Sequence, residues 1–208
     1  MGTPIRSLLC LPGASGNRAT WRAVSEQLTH PARRTFIGWP FFDDVPADPS
    51  CRSFDDLVAR VVADIDRSEG PVALLAQSMG GVIAVRAALQ RPAAVRCMVL
   101  AATSGGIDVA ALGGSDWRTG FAHANPDLPR WFLDEARDLS VQLSGLETPC
   151  LLLWGDADPI SPVAVGERLQ ALLPHAALHV IAGGDHDFVQ QYAREVAPLV
   201  EQHLTRCQ

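Results

Sequence analysis

Short continuous apolar runs alternate with stretches of helical periodicity along the chain. The six runs are SLLCL, TFIGW, VALLA, RCMVLAA, PCLLLW and LHVIA. They lack the apolar–polar alternation of a half-exposed strand, so they are typical of strands buried on both faces of a parallel sheet. The pattern therefore predicts about six strands, which is a usual size for one sheet.

The clearest helical pattern lies between the second and third runs. Apolar residues recur at helical spacing over 54–65, which predicts a helix with one buried face. Ser53 precedes this stretch and Asp56 follows three positions later, a spacing that resembles a capping box. We therefore expect the helix to begin directly after Ser53.

Two further helices are predicted near the end of the chain. Ser161 followed by Pro162 is typical of an N-cap and a first helical position. The last helix has apolar residues at helical spacing over 188–196. We expect Pro198 to kink or end it, because proline removes a helical hydrogen bond.

The alternation of strands and helices predicts an α/β fold. We expect a doubly wound, mainly parallel sheet with helices on both faces. Residues 106–147 interrupt this alternation with turn signals and aromatic residues, and a helix is predicted near 129–143. The segment is too long for a plain connection and too short for a domain. We therefore predict one domain over 1–208 with a small helical cap inserted at 106–147.

Composition and charge narrow the functional class. The chain has 208 residues, of which 48% are apolar and 19% charged, and these values suit one globular domain with a large core. The formal charge of -6 disfavours nucleic acid as a partner. We interpret Arg86, Arg91 and Arg96 as the solvated face of a helix and its exit.

The cysteine pattern and the length of the apolar runs indicate the cellular compartment in which we expect the protein. The five cysteines are scattered and contain no C-x-x-C pair, so we interpret them as reduced thiols in a reducing compartment. The apolar run after the N-terminus is too short for a signal peptide, and no run approaches the ~20 apolar residues that span a bilayer. We expect a cytoplasmic protein with no membrane partner, and the oligomeric state stays open.

Chemically useful side chains follow several predicted strands. Ser78 follows one run, Asp156 and Asp158 follow another, and His186 follows the last. A glycine-rich stretch, PGASGN, follows the first run. Because ligands bind at the carboxyl ends of strands in open parallel sheets, we expect these groups to meet at one edge. The plainer alternatives are a helix N-cap for Ser78 and a polar turn residue for His186.

Four motifs resemble those of the α/β-hydrolase family. They are AQSMGG at 76–81, WGDADPISP at 154–162, GGDHDFV at 183–189 and LPGASGNRATW at 11–21. The serine, aspartate and histidine come in the order that this family uses. The resemblance covers nearly the whole chain except the segment 106–147.

The resemblance implies a role for each of five residues. Ser78 would be the nucleophile, His186 its base and Asp158 the carboxylate that orients the histidine. The backbone N–H groups of Ala14 and Met79 would stabilise the oxyanion. No metal or organic cofactor is implied, and the remaining histidines show no metal-ligand spacing.

The chain departs from the family pattern in three places. Ala76 stands where G-x-S-x-G has its first glycine, although alanine adds only a methyl group. Pro12 precedes Gly13 where the family often has His-Gly, and we expect no additional hairpin before the first strand. Asp158 fits the family spacing G-x-x-D, whereas Asp156 is the alternative and would brace the turn.

These observations predict a serine hydrolase that cleaves carboxylic esters of small to medium acyl chains, with a small-molecule ester as its partner. Phe41, Trp117, Trp131 and Phe132 form either the wall of an acyl pocket or plain packing. The same triad also suits thioesters, lactones, C–C bonds or perhydrolysis, because the fold does not determine the substrate. A different class, a non-catalytic small-molecule binding protein on this scaffold, is the remaining alternative.

Overall fold

The computed structural model describes residues 3–42 and 45–208. Its six strands form one sheet in the order β2-β1-β3-β4-β5-β6, and all neighbouring pairs are parallel. The predicted doubly wound α/β sheet is therefore confirmed. The strands are β1 (Ser7–Leu11), β2 (Arg33–Phe36), β3 (Val72–Gln77), β4 (Val95–Ala101), β5 (Cys150–Gly155) and β6 (Ala176–Ile181).

Helices cover both faces of this sheet. Successive residues of β1 alternate between two apolar clusters, since Leu9 and Leu11 face one and Leu8 and Cys10 face the other. This alternation explains why the strands are continuous apolar runs. The helices are α1 (Arg22–Ser25), α2 (Phe54–Asp66), α3 (Met79–Gln90), α4 (Arg118–Ala124), α5 (Ser140–Leu143), α6 (Val163–Leu172), α7 (Phe188–Gln191) and α8 (Ala193–Arg206).

The start of α2 agrees with the capping pattern in the sequence. Ser53 Oγ accepts a hydrogen bond from the Asp56 amide at 3.2 Å, and the helix begins at Phe54. The Asp56 carboxylate accepts hydrogen bonds from the amide of Arg52 and from the hydroxyl of Ser53, both at 2.8 Å. Asp56 therefore also fixes the backbone of Arg52, the residue that precedes the N-cap.

The predicted helix near 129–143 is wrong except for its last turn, which is α5. The guanidinium of Arg118 donates hydrogen bonds to the carbonyls of Leu133 and Glu135, at 2.9 and 3.3 Å. The Leu139 amide donates to the carbonyl of Gly106 at 2.8 Å instead of to a carbonyl four residues earlier. These tertiary hydrogen bonds use the backbone groups that a helix would need.

Three boundaries also differ from their predictions. The run TFIGW lies at 35–39, but β2 ends at Phe36. Pro162 is the N-cap of α6 rather than its first residue, with extended backbone angles. The last helix breaks at Tyr192, between α7 and α8, and α8 continues through Pro198. Its buried face, which includes Val200, maintains the helix across the bond that the proline removes.

Arg86 corrects the interpretation of the arginines as a solvated face. Its side chain is only 10% exposed and forms ion pairs with Asp55 on α2 and Glu135 in the segment 106–147. All five cysteines are free and buried, as the sequence predicts. Within residues 3–42 and 45–208, no helix has the length and apolar character needed to cross a membrane.

Candidate active site

Ser78 lies at a sharp turn between β3 and α3. Its φ of 52° and ψ of -123° are strained for a residue with a side chain. Close packing around the turn requires a glycine at position 80, because a Cβ on Gly80 would lie 2.4 Å from the carbonyl oxygen of Pro12. Ala76 is fully buried, so the core accepts the methyl group that the family pattern lacks. Ser78 makes no side-chain cap hydrogen bond to α3, which argues against a plain N-cap.

The three sequence-predicted catalytic side chains meet at this turn. His186 Nε2 lies 2.9 Å from Ser78 Oγ, and His186 Nδ1 lies 2.8 Å from Asp158 Oδ2. They arrive from the loops after β3, β5 and β6, which end at the same edge of the sheet. The arrangement has the geometry of a nucleophile, a base and an orienting carboxylate.

Asp158 is buried, with 4% of its surface exposed. Its Oδ1 accepts hydrogen bonds from the amides of Ile160 and Ser161, at 2.8 and 3.1 Å. Oδ2 thus remains directed at the imidazole. Two backbone donors and the imidazole therefore satisfy a carboxylate that would be costly to bury without partners.

Asp156 has a different role from Asp158. It is exposed, and its Oδ1 accepts a hydrogen bond from the Gly183 amide at 2.6 Å. Asp156 therefore connects the loop after β5 to the loop that carries His186. The structure brings Asp158 to the histidine and leaves Asp156 as a brace, and it places Asp185 and Asp187 on the surface.

Gln77 is a site residue that the sequence analysis missed. It is 3% exposed, and its Nε2 donates a hydrogen bond to the backbone carbonyl of His186 at 3.0 Å. A buried amide at the last position of an apolar strand is a signal that sequence reasoning can use. Gln77 connects the strand that carries Ser78 to the loop that carries His186.

Two tryptophans order the loop after β1, which the sequence analysis also missed. Trp39 Nε1 donates to the Gly13 carbonyl at 2.9 Å, and Trp21 Nε1 donates to the Leu11 carbonyl at 3.2 Å. A Cβ on Gly13 would lie 3.2 Å from Ser78 Cβ, so this loop lies against the serine. The next residue, Ala14, is buried, and so is Met79 on the other side of Ser78.

A cavity of about 880 Å³ opens over Ser78 and His186. The segment 106–147 provides much of its wall, including Trp117 and Phe132. Phe41 and Trp131, the other two predicted pocket residues, do not line it. Trp131 packs against Phe132 with ring centroids 5.9 Å apart, and Phe41 has a positive φ of 77° and is half-buried.

An ion-pair network connects the cavity wall to α2 and α3. Arg86 and Arg137 both pair with Asp55, and Arg86 also lies 3.4 Å from Glu135. Hydrogen bonds from Arg137 and Arg86 lower the pKa of Asp55 to about 2. The sequence gives no signal for this network, because Asp55 and Arg137 are 82 positions apart.

Comparison with known proteins agrees with this fold. The model of the "Alpha/beta hydrolase family" matches residues 8–147. The chain is 33% identical over 175 residues to Polyketide synthase ThaQ of Burkholderia thailandensis, a match covering 64% of this chain and 8% of that protein. The chain thus spans only a small part of this curated relative.

Two solved structures have the same fold. A meta-cleavage product hydrolase from Pseudomonas fluorescens, in a mutant form, matches with a TM-score of 0.80 and 18% identity, over 99% of this chain and 92% of that one. A thermophilic esterase from Thermogutta terrifontis matches with a TM-score of 0.78 and 18% identity, over 99% and 92% of the two chains. At this identity the likeness shows the fold alone.

Proposed function

Because the chain belongs to the alpha/beta hydrolase family, we propose that it hydrolyses carboxylic esters through an acyl-enzyme on Ser78. The observation that carries the proposal is the continuous chain of contacts from Ser78 Oγ through the His186 ring to Asp158, at 2.9 and 2.8 Å. The strained backbone of Ser78 supports it, since strain of this kind is characteristic of nucleophile turns.

In the first half-reaction, Ser78 Oγ attacks the ester carbonyl carbon while its proton passes to His186 Nε2. Asp158 accepts the Nδ1 hydrogen bond, holds the reactive tautomer and stabilises the imidazolium. The N–H groups of Ala14 and Met79 would stabilise the carbonyl oxygen as it becomes negative. The C–O bond then breaks, and the alcohol leaves with the proton from His186.

In the second half-reaction, water replaces the alcohol. His186 takes a proton from the water as its oxygen attacks the acyl carbon, and the same proton returns to Ser78 Oγ when the acid leaves. These steps need only the residues described. The products are one carboxylic acid and one alcohol, and the enzyme returns to its starting state.

The cavity favours an acyl group of small to medium size. Its volume of about 880 Å³ lies within the range of small-molecule sites. Its wall includes apolar residues such as Met79, Val82 and Ile107, and it contains five acidic side chains against two arginines. Anionic substrates are therefore disfavoured relative to neutral ones.

An acyl thioester is the second candidate substrate. The observation that favours it is the likeness to a segment of a polyketide synthase, since a polyketide is an acyl chain by its chemistry. The steps above apply unchanged, with a thiol in place of the alcohol as the leaving group. Matched esters and thioesters of the same acyl group would determine which of the two the cavity prefers.

The test is to replace Ser78 and measure turnover and labelling together. We expect Ser78→Ala to lose at least about 10³-fold in kcat on an activated short-chain ester, and to lose labelling by a fluorophosphonate probe. Ser68→Ala is the matched control, because this half-buried serine follows α2, does not line the cavity, and donates its hydroxyl hydrogen bond to the Asp64 carbonyl. Activity or labelling retained in Ser78→Ala would refute the mechanism, and a wild-type protein that is never labelled would favour a binding protein.

A further inference from the structure

A second cluster of reactive side chains lies away from the cavity. The donor atoms of Cys97, His203 and Cys207 all lie within 4.8 Å of one another. Cys97 is the third residue of β4, near the amino end of that strand, whereas Ser78 lies at the carboxyl edge of the sheet. Across the described ranges, 3–42 and 45–208, no other group of His, Cys, Asp or Glu side chains converges in this way.

The helical repeat brings two of the three donors together. His203 and Cys207 are four residues apart at the end of α8, so their side chains lie on the same face. Their nearest donor atoms, Nε2 and Sγ, are 4.0 Å apart. Cys97 approaches that face from the sheet, so the cluster joins an outer helix to a central strand.

The cluster is sheltered on one side and accessible on the other. Cys97 is fully buried, whereas His203 is half-buried and Cys207 is 9% exposed. Cys207 also lines an open cavity of about 680 Å³, together with Arg96 and Gln208. An ion therefore has a route from solvent to the Cys207 sulfur, and the Cys97 sulfur lies within 4.8 Å of that atom.

The two thiols also interact with each other. A hydrogen bond between them lowers the pKa of the Cys207 thiol and raises that of Cys97. The two sulfur atoms are therefore close enough for one ion to contact both. Thiolate rather than thiol is the form that binds metals.

We propose that Cys97, His203 and Cys207 bind one Zn²⁺ ion, with the fourth coordination position left to solvent. Two sulfur donors and one imidazole are a set that selects Zn²⁺ over oxygen-seeking cations such as Mg²⁺. Binding displaces the thiol protons to solvent and transfers no electrons. The ion would join the end of α8 to the amino end of β4, at a site separate from Ser78.

The sequence alone gave no sign of this site. His203 and Cys207 lie in an H-x-x-x-C spacing, but Cys97 is more than a hundred positions away from both. The third ligand enters only because β4 lies in the middle of the sheet and α8 packs over it. This non-local arrangement also explains why the sequence pattern indicates only core residues at the cysteines.

The test measures metal binding by the full chain after reduction with a phosphine and removal of metal. We expect one Zn²⁺ per chain in competition with a chromophoric chelator, a higher thermal midpoint with Zn²⁺, and a sulfur-to-metal charge-transfer band with Co²⁺. Cys207→Ser and His203→Gln each remove one of the two proposed ligands at the C-terminal end of α8. Each should weaken Zn²⁺ binding by at least about tenfold, since even indirect partners of a metal are worth about 10- to 100-fold.

Two controls make the outcomes decisive. Cys51→Ala removes a buried thiol far from the cluster and should leave Zn²⁺ affinity unchanged. Ser78→Ala should also bind Zn²⁺ fully, so failure of the hydrolase proposal and failure of this one are distinguishable. No binding by the reduced wild type, equal affinity in the ligand variants, or a Co²⁺ complex without the sulfur band would each overturn the proposal.

Discussion

The carboxyl edge of the sheet, which carries Ser78, Asp158 and His186, faces the segment 106–147 across one cavity. Different interactions hold this edge and this segment in place. At the edge, two backbone amides hold the Asp158 carboxylate in place. Gln77 holds the backbone carbonyl of His186. The segment contains only α4, α5 and a 3-10 turn at Ala110–Leu112, and edge-to-face aromatic contacts and ion pairs maintain its position. The sheet thus positions the three side chains of the proposed catalytic site, whereas a less regular segment forms much of the cavity wall.

This difference predicts a separation of effects. Substitutions at the edge should lower kcat, because the geometry of the reacting groups changes while the cavity keeps its shape. Substitutions in the segment should mainly change KM or stability. The predictions below test this separation in order of decreasing effect.

Asp158→Asn should give the largest loss. An asparagine keeps the shape of the side chain but favours the wrong imidazole tautomer, and a comparable change in a serine protease triad costs about 10⁴-fold in kcat. The measurement is kcat on an activated ester, with circular dichroism to confirm folding. Asp156→Asn is the control on the same loop, and we expect its loss to be far smaller. Equal losses in both variants would remove the distinction between orienting group and brace.

The edge and the segment also differ in how much of each the sequence predicts. Buried runs predict five of the strands within two residues at each end, because continuous hydrophobicity is a local property. Strand ends point to Ser78 and His186, and the resemblance to the α/β-hydrolase family adds the chain order and the spacing that selects Asp158 over Asp156. The bonds from Trp39 to Gly13 and from Gln77 to His186 join positions 26 and 109 residues apart, so no local pattern indicates them.

The helix predicted near 129–143 shows that a local pattern can also predict structure that tertiary contacts prevent. Its apolar spacing resembles a helix, but the side chain of Arg118 takes two of the carbonyls that the helix would use. Local pattern therefore overestimates order in the segment. The irregular wall of the cavity is a product of tertiary contacts, whereas the edge is largely a product of the sheet.

Gln77→Leu should give the second largest loss. It removes the hydrogen bond to the carbonyl of His186, which is worth about 1 to 1.5 kcal/mol or roughly tenfold in rate. Because Gln77 acts through His186 and does not line the cavity, kcat should fall while KM stays constant. Gln191→Leu is the control, since its amide contacts only the exposed Asp185. A rise in KM without loss of kcat would contradict a positioning role.

Trp117→Leu should have a moderate effect, on KM rather than on kcat. Trp117 lines the cavity and packs against Phe121 with centroids 5.7 Å apart. Loss of part of this apolar wall should raise KM for the longest accepted acyl chain by about three- to tenfold, with kcat for short chains unchanged. Trp131→Leu is the matched control, because Trp131 does not line the cavity. Equal changes for short and long esters in Trp117→Leu would show that this wall does not select acyl length.

Asp55→Asn should have the smallest effect, which is confined to stability and disappears at low pH. Arg137 and Arg86 lower the pKa of Asp55 from 3.8 to about 2, so its stabilising contribution is complete above about pH 4 and disappears as the pH falls towards 2. The Asp55 side chain is 55% exposed, so this contribution should be less than about 1 kcal/mol. Urea unfolding of wild type and Asp55→Asn should therefore differ at pH 6 and converge near pH 2. A difference that persists at pH 2 would assign the stabilisation to packing of the segment rather than to its ion pairs.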